Sequence, residues 1–425
     1  MYISVRDRPV RSRGAARATS ARLAPTVLLL GTVSLLTDVS SESVNAVLPI
    51  YLTSVLGLGA LAYGFIDGIY QGATALVRIL AGWLADRSDR PKWVAVVGYG
   101  VSALSRAALL PAHGFAAITS VITLDRLGKG VRTAPRDALI ASSTPAHSLG
   151  RAFGVHRAMD TAGALIGPLL AFWILLMLPS NYHGVFIVSF AFAIVGFAVL
   201  VLFVPDLRTR AARQDDQQPA AIEPASAPSL RLLLDPRLLR LCAGATLLGL
   251  LTVGDGFLYL QLTERDSLAT KYFPLLYAGS NISYLVLAVP LGRLADRIGR
   301  VPVFLGGHLA LLGSYLAAGG VLPGAWATLT CLALLGSYYA ATDGVLAAIA
   351  GQLVPALRAS AIATAQTVVS LARFAASIGF GLAWTLLGRS DALHLFTGLL
   401  MLAIPVAVWV LPRTRRQVVP AGSAQ

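Results

Sequence analysis

Gly82-Trp83-Leu84-Ala85-Asp86-Arg87 returns 210 residues later as Gly292-Arg293-Leu294-Ala295-Asp296-Arg297. Each copy follows one long apolar run and precedes another. The offset holds beyond the motif: Pro145-Ala146 stands 63 positions past Gly82, and Pro355-Ala356 stands 63 past Gly292. A charged hairpin placed identically in both halves of a hydrophobic chain implies duplication.

The flanking sequence is membrane-like. Hydrophobic residues make up 56% of the 425 positions and charged residues 13%, against about 25% charged in soluble domains. Apolar runs of about 20 residues match the ~30 Å hydrocarbon core as helix. Twelve such spans are predicted, at about 26–52, 60–84, 93–111, 115–140, 152–177, 183–204, 238–262, 270–294, 301–320, 324–350, 359–386 and 392–411. The predicted organisation is a basic tail (1–24), a six-helix half (25–206), a flexible linker (207–237), a second six-helix half (238–412) and a tail (413–425). The linker reading rests on Gln214-Asp215-Asp216-Gln217-Gln218-Pro219 and Pro224-Ala225-Ser226-Ala227-Pro228, a composition that buries no core.

Arginine sets the topology. One family of connections carries the tail arginines from Arg6 to Arg22, Arg87/Arg90/Lys92, His147/Arg151, the linker, Arg297/Arg300, Arg358 and Arg413/Arg415/Arg416. The alternate connections, around 57–59, 112–114, 178–182 and 321–323, are nearly uncharged; the exceptions are the 263–271 loop, where charges balance, and Arg389 with Asp391. Short arginine-bearing loops stay cytoplasmic, so both termini are expected inside. The formal charge of +14 then reflects topology and anionic lipid, and no nucleic-acid partner is implied. Cys242 and Cys331, the only cysteines, lie in apolar runs and read as packing residues. No metal-ligand spacing, cofactor motif or nucleophile–base pattern is present, and no glycine-rich phosphate loop. An enzyme is not expected. Only three lysines accompany the arginines, a bias that points to a GC-rich bacterial genome and a plasma (inner) membrane.

These residues resemble the major facilitator superfamily. Gly-x-Leu-Ala-Asp-Arg-x-Gly-Arg between the second and third spans, and again between the eighth and ninth, is similar to that family's signature loop. Arg126-Leu127-Gly128-Lys129-Gly130 resembles its fourth-helix Arg-x-x-Gln-Gly motif. Gly163-Ala164-Leu165-Ile166-Gly167-Pro168-Leu169-Leu170-Ala171 resembles the fifth-helix motif typical of antiporters. Asp89, Val301, Lys129 and Ala171 depart from the family pattern. Leu36-Thr37-Asp38-Val39-Ser40-Ser41-Glu42, with the run Asp125 to Asp137, looks like a little-characterised prokaryotic branch. The resemblance implies an all-α fold of twelve transmembrane helices in two pseudo-symmetric halves, transport by alternating access, and export of a small solute. Duplicated halves are themselves common in secondary transporters. A monomer is expected to suffice.

Embedded charge marks the candidate site. Ser34, Asp38, Ser41, Glu42 and Asn45 share one face of the first span, and lipid cannot solvate such a stripe. Each mid-span charge costs ~2.5–3.5 kcal/mol. Asp125, Lys129, Arg132 and Arg136 stack in the fourth span, with Arg126 and Asp137 beside them. Asp38, Glu42, Asp125, Arg126 and Lys129 are the expected proton-coupling and substrate residues, with Asp38 and Glu42 facing Arg126 and Lys129. A structural ion pair between these spans is the plainer reading. Arg132, Arg136, Asp137, Arg157 and Asp160 are expected to form a cytoplasmic gate together with Asp86, Arg87, Arg90, Asp296, Arg297 and Arg300. The resemblance implies that the two loop acids brace opposite halves. Gly163, Gly167 and Pro168 are expected to permit close helix contact. Asp67 is expected near an outer vestibule, and Arg78 to snorkel inward. The second half carries Asp255, Asp343 and Arg373; its positions matching Asp38, Arg126 and Lys129 are Leu248, Gly336 and Tyr339. Tyr277, Asn281, Tyr284, Tyr338, Tyr339 and Gln366 are its candidate pocket residues. Competing readings are a lipid flippase on the same scaffold, an importer of an organic anion, and a membrane sensor.

Overall fold

A computed structural model describes residues 24–87, 90–145, 148–206 and 230–412. Asp89, Ala146, His147, both tails to residue 23 and from 413, and linker positions 207–229 lie outside the described residues, as do the side chains of Arg78, Asp86 and Arg87.

Among the described residues the chain is helical apart from short connections, with no strand. The first set of helices is α1 (Pro25–Asn45), α2 (Ala60–Arg87), α3 (Pro91–Leu109), α4 (Gly114–Ser142), α5 (Leu149–Met177) and α6 (Tyr182–Phe203). The second is α7 (Pro236–Gly249), α8 (Asp255–Arg265), α9 (Phe273–Ile298), α10 (Arg300–Leu316), α11 (Gly324–Leu353), α12 (Arg358–Leu387) and α13 (Arg389–Val410). Among the described residues eight helical stretches are long and apolar enough to cross a membrane. The surface agrees with that reading. Leu202, Leu386 and Trp409 are more than two-thirds exposed, which water would penalise and lipid does not.

Consecutive rods run antiparallel, so Pro25, Phe203, Pro236 and Val410 share one end of the bundle, called here the near end. The far end holds the connections around residues 56–59, 178–181, 266–272 and 388.

Two departures from simple helix matter most here. α1 stops at Asn45, ahead of Pro49, and resumes as Leu48–Ile50 and a π-turn at Tyr51–Val55; proline removes an N–H and crowds the carbonyl four residues back. The span predicted as continuous over 238–262 is broken between Gly249 and Asp255. No proline causes this. Glycines at 249, 254 and 256 weaken the helix, and Tyr315 of α10 takes up the freed backbone. Its hydroxyl donates to Leu251 O at 2.9 Å and accepts from Val253 N at 2.7 Å. Unwound backbone at membrane depth survives only when paired inside protein.

The two sets of helices meet along α2 and α12. Gly64, Gly68 and Gly72 form one small-residue ridge of α2 against Phe374, Ser377 and Gly381 of α12; a Cβ at Gly68 would fall 2.9 Å from Phe374 O, and one at Gly381 2.6 Å from Ala60 O. Asn281 of α9 donates to Ala164 O of α5 at 3.1 Å. Phe172 stacks on Tyr272 at 6.0 Å, and Tyr63 meets Phe257 at 4.6 Å. These contacts run from the far end to mid-bundle.

Candidate functional site

The polar stripe of α1 faces α3, α4 and α5. Close approach to α5 is possible because two glycines sit at the crossing: a Cβ at Gly163 would lie 2.5 Å from Leu35 O, and one at Gly167 2.8 Å from Ser43 N. Pro168, inside α5, follows at once.

Asp38 lies opposite Arg132 of α4, at 4.0 Å, too long for a hydrogen bond. On its other side the Asp160 carboxyl of α5 is within hydrogen-bonding reach. Of the expected network, Arg126 lies within electrostatic reach of Glu42 and has Asp125 as its direct partner. Arg132 stacks its guanidinium over the Tyr99 ring at 4.6 Å, and its Nη1 finds no hydrogen-bond partner among the described residues. Lys129 lies within electrostatic reach of both Asp38 and Glu42. Glu42 accepts from Asn45 Nδ2 at 3.1 Å.

Arg126 belongs to a buried triad. Asp125 pairs with Arg126 beside it and with Arg106 of α3, the latter at 2.9 Å. Arg106 also donates to Ser41 Oγ at 3.3 Å, and Arg126 covers the Tyr70 ring at 3.8 Å. Sequence reasoning missed Arg106 and Tyr70. The available signal was a lone arginine in the apolar third span, which had to find a partner inside the bundle.

Nearer the near end, Arg136 pairs with Asp137 at 3.0 Å and Asp160 at 3.8 Å, and donates to Ser34 Oγ at 3.0 Å. Arg157 pairs with Asp160 at 3.3 Å and reaches Tyr284 of α9. The expected grouping of Arg132, Arg136, Asp137, Arg157 and Asp160 is brought together mainly within the first set of helices, with Arg157 also reaching across to α9. Asp296 pairs with Arg300 of its own set at 3.6 Å and is 72% exposed, so among the described residues it makes no brace to the opposite half. Arg300 also donates to Ala348 O at 2.8 Å. Arg297 is exposed and Arg90 is engaged.

The facing wall carries Arg373 of α12, which donates to Tyr338 Oη at 2.8 Å and lies 3.7 Å from Asp343 of α11. Asp343 is 51% exposed at its side chain and Arg157 72%, so both walls border an accessible cleft. The predicted Tyr277, Tyr338 and Tyr339 are buried or half-buried along this set. A separate cavity of about 330 Å³ opens at the far end, lined in part by Thr53, Tyr63, Phe257, Glu264, Trp384 and Arg389. Arg389 pairs there with Glu264.

With this geometry in hand, comparison with known proteins is informative. Residues 30–269 match the family model described as Major Facilitator Superfamily. An uncharacterised MFS-type transporter of Methanocaldococcus jannaschii is 29% identical over 396 residues, 90% of this chain and 95% of the relative. The multidrug resistance protein MdtH of Photorhabdus laumondii is 32% identical over 126 residues, 30% of this chain and 31% of that protein. Among solved structures, a mutant of the nucleoside transporter NupG superposes with a TM-score of 0.76 at 16% identity, covering 91% of this chain and all of that one; the likeness is one of fold.

Proposed function

The chain belongs to the major facilitator superfamily, and from that premise we propose that this multi-pass membrane transporter is proton-coupled and exports a small solute by alternating access. The observation that carries the proposal is the position of Asp38. Its carboxyl stands between a buried arginine, too distant to hydrogen-bond, and a second carboxyl. Two carboxyls side by side are compatible when a proton lies between them; an approaching guanidinium favours its loss. Lys129, and Arg132 stacked on Tyr99 and incompletely hydrogen-bonded, are the cations placed to make that approach. Movement of α4 against α1 and α5 then exchanges a proton for an ion pair.

The close helix contacts between the two sets lie from mid-bundle to the far end, Arg157 reaches Tyr284 nearer the near end, and the charged cleft is accessible. With the arginine-rich near end in the cytoplasm of a bacterium, as the loop charges favour, this is an inward-open state of the inner-membrane protein, acting as a monomer. Asp86, Arg87, Arg90, Asp296, Arg297 and Arg300 would meet partners across the halves only in the outward-open state. Export is favoured by the α5 glycine–proline motif and by the partial similarity to a multidrug resistance protein.

The test uses purified protein in liposomes under an imposed pH gradient, screened against candidate solutes. Uphill transport is expected in the wild type and lost in Asp38→Asn, with gradient-independent exchange retained. Uphill, pH-dependent transport that survives Asp38→Asn, Glu42→Gln and their double mutant would sink the coupling role.

A further inference from the structure

Away from the Asp38 cluster, the second set of helices holds a hollow of its own at the far end. It encloses about 400 Å³ and is lined by Gln261, Glu264 and Arg265 of α8, Trp384 of α12, and Arg389 and Ser390 of α13. No wall comes from the first set. Depth is graded along it. The Glu264 and Arg389 side chains, paired with each other, are 68% and 31% exposed and stand at the mouth. Gln261 is 6% exposed and forms the inner wall.

A second observation points to an occupant. Gln261 Oε1 and Arg265 Nη2 are buried, and neither has a hydrogen-bond partner among the described residues. Buried polar atoms normally find one. The two residues stand four apart on α8 and so share a face. Arg265 is not free to turn away. Its Nε donates to Asp266 Oδ1 at 2.8 Å, and its Nη1 donates to Ala317 O at 2.6 Å and Ala318 O at 3.2 Å. Asp266 is fixed in turn by Thr328 of α11 at 2.7 Å. A planar guanidinium held at two corners presents its third in a set direction.

We infer that this hollow binds a small neutral carboxamide with an apolar body, entering from the far-end solution. The orphan atoms are one acceptor beside one donor. An amide answers both: its N–H donates to Gln261 Oε1, and its C=O accepts from Arg265 Nη2. Charge selects the neutral group. Arg265 has Asp266 and Arg389 has Glu264, so no cation is left to balance a bound carboxylate, and an unbalanced buried charge is costly. Trp384 offers its ring to the apolar body. The occupant ties α8, the half-rod that follows the unwound segment, to the start of α13. The site requires neither proton coupling nor export.

The experiment titrates full-length protein in nanodiscs into para-fluorobenzamide and reads binding as broadening of the fluorine resonance, with empty nanodiscs as the blank. Para-fluorobenzoate, the same shape with a negative charge, is the comparison. The amide should bind about tenfold more tightly than the benzoate. Gln261→Leu keeps the bulk and removes the orphan acceptor, and should weaken the amide by about tenfold. Ser390→Trp adds bulk at the exposed mouth and should block the amide, which gives a reading even where Gln261→Leu fails to fold. Asp38→Asn should bind the amide as the wild type does, so a failed coupling test leaves this result standing. Broadening no greater than in empty nanodiscs would leave only water in the hollow and overturn the inference. Tighter binding of the benzoate, or amide binding that Ser390→Trp leaves unaltered, would overturn it as well.

Discussion

Asp125 holds two arginines in a place where water cannot help. Removing it strands Arg106 and Arg126 together, so Asp125→Asn should lower stability by about 3–5 kcal/mol. Asp125→Asn combined with Arg106→Met should recover part of that loss. Thermal unfolding of the detergent-solubilised protein reads both; a double mutant less stable than the single would contradict the triad. At this scale the sequence was partly legible. The stripe from Ser34 to Asn45 announced its face by spacing alone, and the charges of α4 announced their number. Their partners were not legible, because pairing depends on how α4 is rotated against α1. Asp125 and Arg126 are adjacent in sequence, and that adjacency hid an ion pair which spacing rules for helix faces do not anticipate.

Elements carry the next layer. Gly64, Gly68 and Gly72 let α2 and α12 touch backbone to backbone. Gly68→Leu should hold the far end apart, favour the outward-open state and slow transport while leaving expression near normal. Raised labelling of Leu387→Cys by a water-soluble maleimide checks it; unchanged labelling would mean that the ridge tolerates bulk. The spacing of these glycines stood in the sequence as a small-residue repeat, unread because it was not tied to a charge. The break between α7 and α8 was harder to see, since glycines permit a break without demanding one and the decisive partner, Tyr315, lies about 60 residues away in the chain. Tyr315→Phe leaves Leu251 O and Val253 N unpaired at depth, and should cost about 1–3 kcal/mol, again by thermal unfolding.

At the scale of the molecule, the duplicated hairpin foretold the architecture and concealed its asymmetry. Repetition fixes where rods begin and end, because apolar length and loop charge are local properties. Function was free to diverge: Asp38, Arg126 and Lys129 have Leu248, Gly336 and Tyr339 at their matching positions. Orientation is testable on the whole chain. Arg90→Cys and Asp296→Cys should react from one side of the membrane with an impermeant reagent, and Ser267→Cys from the other. Reaction of Arg90→Cys and Asp296→Cys from opposite sides would overturn the twofold plan.

The hollow of about 330 Å³ above the far-end closure has a pharmacological consequence. It is within the size range that holds drug-like molecules, and its walls come from both sets of helices. A compound wedged between Thr53 and Trp384 would cement the two together from outside, as a doorstop holds a door. Such a blocker would lower the maximal rate by holding one of the two states, and solute from the near end would not displace it.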